Sequence, residues 1–130
     1  LISAASLDLT VDELNGSGLA RASSLGEVTL WSSATFAELL RGPTSLGGLL
    51  AARSYPAVPS PAIPSPGGDP YFRGGYSTAR HTGSGTSLGG VQIECHYAGV
   101  RDTAASREAF ARALADALVV FVATHLRIEL

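Results

Sequence analysis

GVQIECHYAGVRDTAASREAFARALADALVVFVAT, residues 90–124, sets the expectation for the fold. Its opening alternates. Val91, Ile93, Cys95 and Tyr97 point one way and Gln92, Glu94 and His96 the other, which is the two-residue period of a strand. After a short loop at 98–102 the period lengthens. Phe110, Leu114, Leu118, Phe121 and Val122 share one helical face over roughly 104–124, and Asp102, Thr103 or Ser106 can cap its start. Strand, loop and long helix form an α/β unit, so the expected fold class is α/β: a mixed sheet with flanking helices.

Outward from this stretch the signals weaken. Leu7, Leu9 and Val11 alternate with Asp8 and Thr10 as a half-buried strand would, and Leu126, Ile128 and Leu130 are in phase for a terminal strand. Residues 19–31 match neither period. Thr35 and Glu38 have capping-box spacing ahead of Phe36, Leu39 and Leu40, and Gly42-Pro43 closes that short helix. A second short helix starts at Thr44 or Ser45 and runs to about Arg53, with Leu46, Leu49 and Leu50 inward and Gly47-Gly48 permitting close packing. Residues 55–70 hold six prolines, which cannot donate ladder hydrogen bonds, so this run is expected to be an extended loop wrapping a single domain.

Composition removes several functions. A net charge of −2 with no basic cluster leaves no footprint for nucleic acid. The apolar run at 109–123 is broken by Arg112 and Asp116 and is shorter than the roughly 20 residues of a bilayer span, so no membrane is expected. All nine basic residues are arginine, which excludes Schiff-base chemistry and a lysine-bearing phosphate loop. The single cysteine, Cys95, has no internal disulfide partner. A chain that begins at Leu1 and lacks methionine reads as a part from which an upstream segment has been removed, by processing, by nicking or by design. With the sequon at Asn15-Gly16-Ser17, that favours an extracellular over a cytoplasmic location.

The densest chemistry lies in Gly74-Gly75-Tyr76-Ser77-Thr78-Ala79-Arg80-His81, followed by Glu94. Glycines leave this loop open to a ligand, and it carries an arginine fork, hydroxyls, a phenol and an imidazole. Glu94, toward the carboxyl end of its expected strand, can act as a general acid or base. The plain alternative is that Arg80 or Arg101 pairs with Glu94 and the glycines only make a turn.

Four segments then occur in a specific order: Arg41-Gly42-Pro43-Thr44-Ser45-Leu46-Gly47, Tyr55-Pro56-Ala57-Val58-Pro59-Ser60-Pro61, Asp69-Pro70-Tyr71-Phe72 with Gly74-Gly75-Tyr76, and Val91-Gln92-Ile93-Glu94. In this the chain resembles the C-terminal half of the N-formylglutamate amidohydrolase family. The resemblance implies a phosphorylase/hydrolase-like mixed sheet as in zinc carboxypeptidases, and amide hydrolysis by metal-activated water. It implies that Glu94 carries protons between the water and the leaving amine. Arg80, Tyr76 and Thr78 would face the substrate, an N-acyl amino acid or peptide, with His81 and Gly75 in the same loop. Family members often place arginine directly after the threonine, where this chain has Ala79 and then Arg80.

The family's zinc ligands lie in its N-terminal half. The histidines at 81, 96 and 125 form no His-x-x-Glu, His-x-His or His-x-x-x-His pair, so zinc is expected on a second polypeptide or on an N-terminal segment of the same precursor. Two other readings compete. A non-catalytic binding protein would keep the fold without the activity. A serine hydrolase would use Ser87 within Gly85-Thr86-Ser87-Leu88-Gly89, with Asp102 and His125, although that segment enters a strand where a nucleophile elbow should open a helix.

Overall fold

The fold is described from a computed structural model covering residues 2–82 and 86–129. Among those residues there is no strand, and the protein is all-helical. The expected α/β fold is thereby corrected, and each of the three expected strands fails for its own physical reason.

At the N-terminus, local capping overrides the alternation. Ser3 caps α1 (Ala4–Leu7), and Thr10 opens α2 (Val11–Gly16) with a capping box in which its backbone N–H and hydroxyl both donate to Glu13 at 2.8 Å. Leu7 and Leu14 are both fully buried, one from each helix. The segment at 90–97 keeps its alternation but finds no second strand to pair with. Its backbone link to a distant segment joins the Gly90 N–H to the Ser24 carbonyl at 2.8 Å. At the C-terminus, helix continues to Leu126 and ends on Arg127 in the left-handed region (φ 56°), which breaks the extended phase. Leu130 lies outside the described residues.

Two short one-turn helices, α3 (Leu19–Ala22) and α4 (Val28–Trp31), occupy the stretch that fitted neither period. The expected helices at 36 and 46 both form: α5 (Phe36–Arg41), opened by the Thr35–Glu38 capping box, and α6 (Leu46–Ala51), capped by Ser45.

The six-residue α5 is the centre of the fold. Phe36, Ala37 and Leu40 join Ile2, Leu7 and Leu14 in one apolar cluster, while Leu39 turns the other way to meet Val28, Leu49, Leu50, Ala117 and Phe121 in a second. Arg41 ties the first cluster down by donating from Nη1 to the Leu7 carbonyl (2.5 Å) and from Nη2 to that of Leu9 (2.7 Å), groups left over at the end of α1. In α6 the glycine pair is required by close approach, since a Cβ on Gly48 would stand 2.7 Å from the Pro43 carbonyl oxygen.

The Pro-rich run forms no helix and lies against the second cluster. Tyr55 meets Phe110 edge-on, with ring centroids 5.2 Å apart, and Ser60 is fully buried, accepting the Ile63 N–H through its hydroxyl. A further helix, α7 (Tyr76–His81), forms where an open glycine loop was expected.

Capped by Thr103, α8 (Ala104–Leu126) packs on α4 and α6 through a seam of Ala117, Phe121 and His125. Leu118, expected on the inner face, is 39% exposed, as are Val119 and Val120 to similar degree. With 23 residues, about 34 Å, α8 is long and apolar enough to cross a membrane by length and composition. Arg107, Glu108 and Arg112 occupy its N-terminal half, and Asp116 lies just past its midpoint.

Candidate functional site

Gly75 is the N-cap of α7, and its backbone N–H donates to Gln92 Oε1 at 2.5 Å. The Thr78 hydroxyl, one helical turn on, donates to the same oxygen at 3.5 Å. Gln92 Nε2 then donates to Glu94 Oε1 at 2.5 Å. One amide thus connects the glycine, the threonine and the glutamate. Gln92 and Glu94 share a face through the two-residue period of 91–97, which is retained without a ladder. A Cβ at Gly75 would stand 2.8 Å from Gln92 Oε1, so only glycine allows this approach without displacing the amide.

Of the sequence-derived site residues, Gly75, Thr78 and Glu94 are therefore brought together. Tyr76, Arg80 and His81 lie on the same short helix and are exposed, and α7 buries none of its residues. Arg80 makes no hydrogen bond or ion pair among the described residues. Arg101 does not pair with Glu94 either: its Nε donates to the Cys95 carbonyl (3.1 Å), and its guanidinium lies over the Tyr97 ring, 5.6 Å from the centroid. The ion pair found among the described residues is Arg112–Glu108, on the surface of α8. Gln92 is the residue that sequence reading left out of the site. The available signal was its position on the Glu94 face, two residues before it.

The turn that follows is organised by Asp102. Its carboxylate accepts the N–H of Gly99 (2.9 Å) and that of Thr103 (2.8 Å), and hydrogen bonding, first from Gly99, then from the Ser106 side chain and the Thr103 N–H, holds it below the usual aspartate range. Gly99 sits at φ 74°, a conformation that glycine adopts without steric cost.

The histidines do not converge. His96 Nδ1 lies 3.1 Å from the Ala98 carbonyl oxygen, and His81 is exposed on α7. His125 is 1% exposed, with Nδ1 2.8 Å from the Ser32 hydroxyl and Nε2 3.0 Å from the Thr44 carbonyl oxygen. Because a carbonyl only accepts, Nε2 carries a proton, and Nδ1 pairs with the Ser32 hydroxyl. His125 therefore ties the end of α8 to the segments flanking α5. Its serine partner is Ser32, not Ser87, and Gly85 of the competing Gly-x-Ser-x-Gly motif lies outside the described residues.

Among the described residues no group of three or more His, Cys, Asp or Glu side chains is placed to hold a metal. Two open hollows, of about 410 and 270 Å³, lie beside α5 and are lined by none of Gly75, Tyr76, Thr78, Arg80, His81 and Glu94. The first is floored by Glu38, Thr44 and His125, all engaged in the capping and tying contacts above. No family profile, curated protein sequence or solved structure matches the chain.

Proposed function

We propose that this chain is part of a zinc-dependent amidohydrolase or peptidase acting on an amide near a carboxylate, such as an N-acyl amino acid or peptide. The observation that supports it is the Gln92 bridge, which gathers Gly75, Thr78 and Glu94 into one exposed cluster from segments 17 residues apart. Gly75 and the Gln92–Glu94 pair belong to two of the four segments that carry the resemblance to N-formylglutamate amidohydrolases.

The residues present do not fit zinc. His125 is committed at both ring nitrogens, His96 is turned to a backbone carbonyl, and among the described residues no group of three or more His, Cys, Asp or Glu is placed to hold a metal. The metal is accordingly assigned to a second polypeptide or an N-terminal segment of the same precursor, and this chain supplies proton transfer and substrate placement. Gln92 holds Glu94 by one carboxylate oxygen, Oε1, and leaves Oε2 for the reacting groups. In the proposed reaction, that oxygen takes a proton from the attacking water and returns it to the amine nitrogen as the C–N bond breaks. Arg80, without a hydrogen-bond or ion-pair partner among the described residues, receives the substrate carboxylate through two parallel hydrogen bonds, flanked by Tyr76 and Thr78.

The test uses the complete protein with its metal-bearing partner and a panel of N-formyl and N-acetyl amino acids. Glu94→Gln should lower kcat by ~10²–10⁴-fold while substrate still binds. Turnover unchanged by the substitution would remove Glu94 from the reaction. Binding without turnover in the unsubstituted protein would leave a binding module in place of an enzyme.

A further inference from the structure

Asn15 is the only asparagine in the chain, and it opens the sequon Asn15-Gly16-Ser17. It lies exposed in the last turn of α2, and its side chain reaches across to α5, where Oδ1 accepts the Ala37 N–H at 2.9 Å. Ala37 is the second residue of α5, so this bond satisfies one of the N–H groups that a helix start leaves without an intrahelical partner. A backbone N–H only donates, which fixes the orientation of the amide: Oδ1 faces α5 and Nδ2 faces away from it. Nδ2 has no hydrogen-bond partner among the described residues.

The surroundings of that nitrogen are open. A Cβ built on Gly16 or on Gly18 would meet no atom within 4 Å beyond its own helix and chain neighbours. Val11, one turn before Asn15 on the same helix, is 53% exposed and borders the smaller hollow together with Ala37, Pro61 and Pro64. Ser17, the third residue of the sequon, donates its hydroxyl to the Leu14 carbonyl (2.9 Å) and accepts the Leu19 N–H (3.4 Å).

We propose that Asn15 carries an N-linked glycan, transferred from a lipid-linked oligosaccharide diphosphate in a secretory compartment. In that step a bond forms between Nδ2 and C1 of the first sugar. The C1–O bond to the diphosphate breaks with its electron pair on the leaving oxygen, and Nδ2 gives up one proton. Oδ1 takes no part, so the bond to Ala37 and the glycan coexist on one side chain. The two roles are separable, because capping α5 needs only an oxygen, which aspartate also provides, whereas the sugar needs the amide nitrogen. The Ala37 contact accounts for the oxygen alone; the sequon and the outward nitrogen are what the glycan accounts for. Neither metal nor substrate enters, so the inference stands or falls apart from the proposed activity.

The experiment is peptide mapping of the chain from the cells that make it. Trypsin cuts after Arg21, so one peptide, residues 1–21, carries Asn15. It should be heavier than its sequence mass by one oligosaccharide, and an amidase that cleaves the asparagine–sugar bond should remove that mass and leave aspartate at position 15. In the chain secreted from a eukaryotic host, Asn15→Asp should lose the added mass with an unchanged helical circular dichroism spectrum, and Ser17→Thr should keep it. The Ala37 N–H should exchange with solvent no faster in the glycosylated chain than in the bare one, and about fivefold faster in Asn15→Ala. An unmodified 1–21 peptide from the native chain, added mass that survives N15D, or an Ala37 amide that loses protection once the sugar is attached would each overturn the proposal.

Discussion

Leu39→Ala tests the architecture most directly, because Leu39 is the one residue of α5 turned toward the second apolar cluster. It is 1% exposed and meets the side of the core that includes Ala117 and Phe121 of α8. Truncation removes three carbons from a dry site, roughly 2.4 kcal/mol at about 0.8 kcal/mol per group. The cavity left between α5 and α8 adds to this, and buried leucines truncated to alanine lose about 2.7–5.0 kcal/mol in all. A loss near 3.5 kcal/mol is expected here, a large part of the roughly 5–15 kcal/mol available to a domain. With a urea slope of about 2 kcal/mol per molar, the midpoint followed by circular dichroism should fall by roughly 1.7 M. Leu118→Ala, on α8 and 39% exposed, should cost under about 1 kcal/mol. Equal losses at the two positions, or a Leu39 loss below about 1 kcal/mol, would refute the two-cluster arrangement around α5.

Other expectations follow from single contacts. Thr35→Ala removes the cap of α5 and should lower stability by about 1 kcal/mol, measured in the same urea titration. Gly75→Ala should leave overall helix content unchanged but move the Gln92 side-chain amide resonances, because its methyl would displace Gln92 Oε1; an unmoved spectrum would argue against the bridge. Glu13 and Glu38 are held below their ordinary 4.5, chiefly by the backbone N–H of Thr10 and of Thr35, and Asp102 below 3.8, chiefly by that of Gly99. A depressed folded-state pKa gives stability that is fully present above the unfolded value and is lost as pH falls through the folded one. The urea midpoint should therefore be flat above about pH 5 and decline below about pH 4, and the triple variant Glu13→Gln, Glu38→Gln, Asp102→Asn should decline less.

What could be read from sequence was what local chemistry decides. The Thr35–Glu38 capping box, the inward Leu39 and Leu40, the packed Gly48 and a long helix over roughly 104–124 all depend on neighbours within a few positions. The Thr10–Glu13 box has the same local signature and was hidden by the alternation of Leu7, Leu9 and Val11, a pattern only five residues long. Tyr76–His81 was hidden by the glycines before it, which suit a loop but serve as the entry to a helix. In the site, the chemistry-bearing types were legible, and the connection was not. Gln92 has no motif of its own, and its role comes from meeting Gly75 across 17 residues.

Residues 90–97 separate the two kinds of information. Their sequence by itself determined which side chains share a face, since the two-residue period is a property of extended backbone alone, and Gln92 and Glu94 do lie together. Whether the segment is a strand is a property of pairs. A ladder needs a second row of peptide groups about 4.8 Å away, and among the described residues the tertiary structure supplies none. The long helix after it shows the converse, because its hydrogen bonds close within the segment and need no partner. Sequence therefore fixed α8 as a helix, while only the packing of α4, α5 and α6 decided that Ala117, Phe121 and His125 form its inner seam and that Leu118 lies outside it.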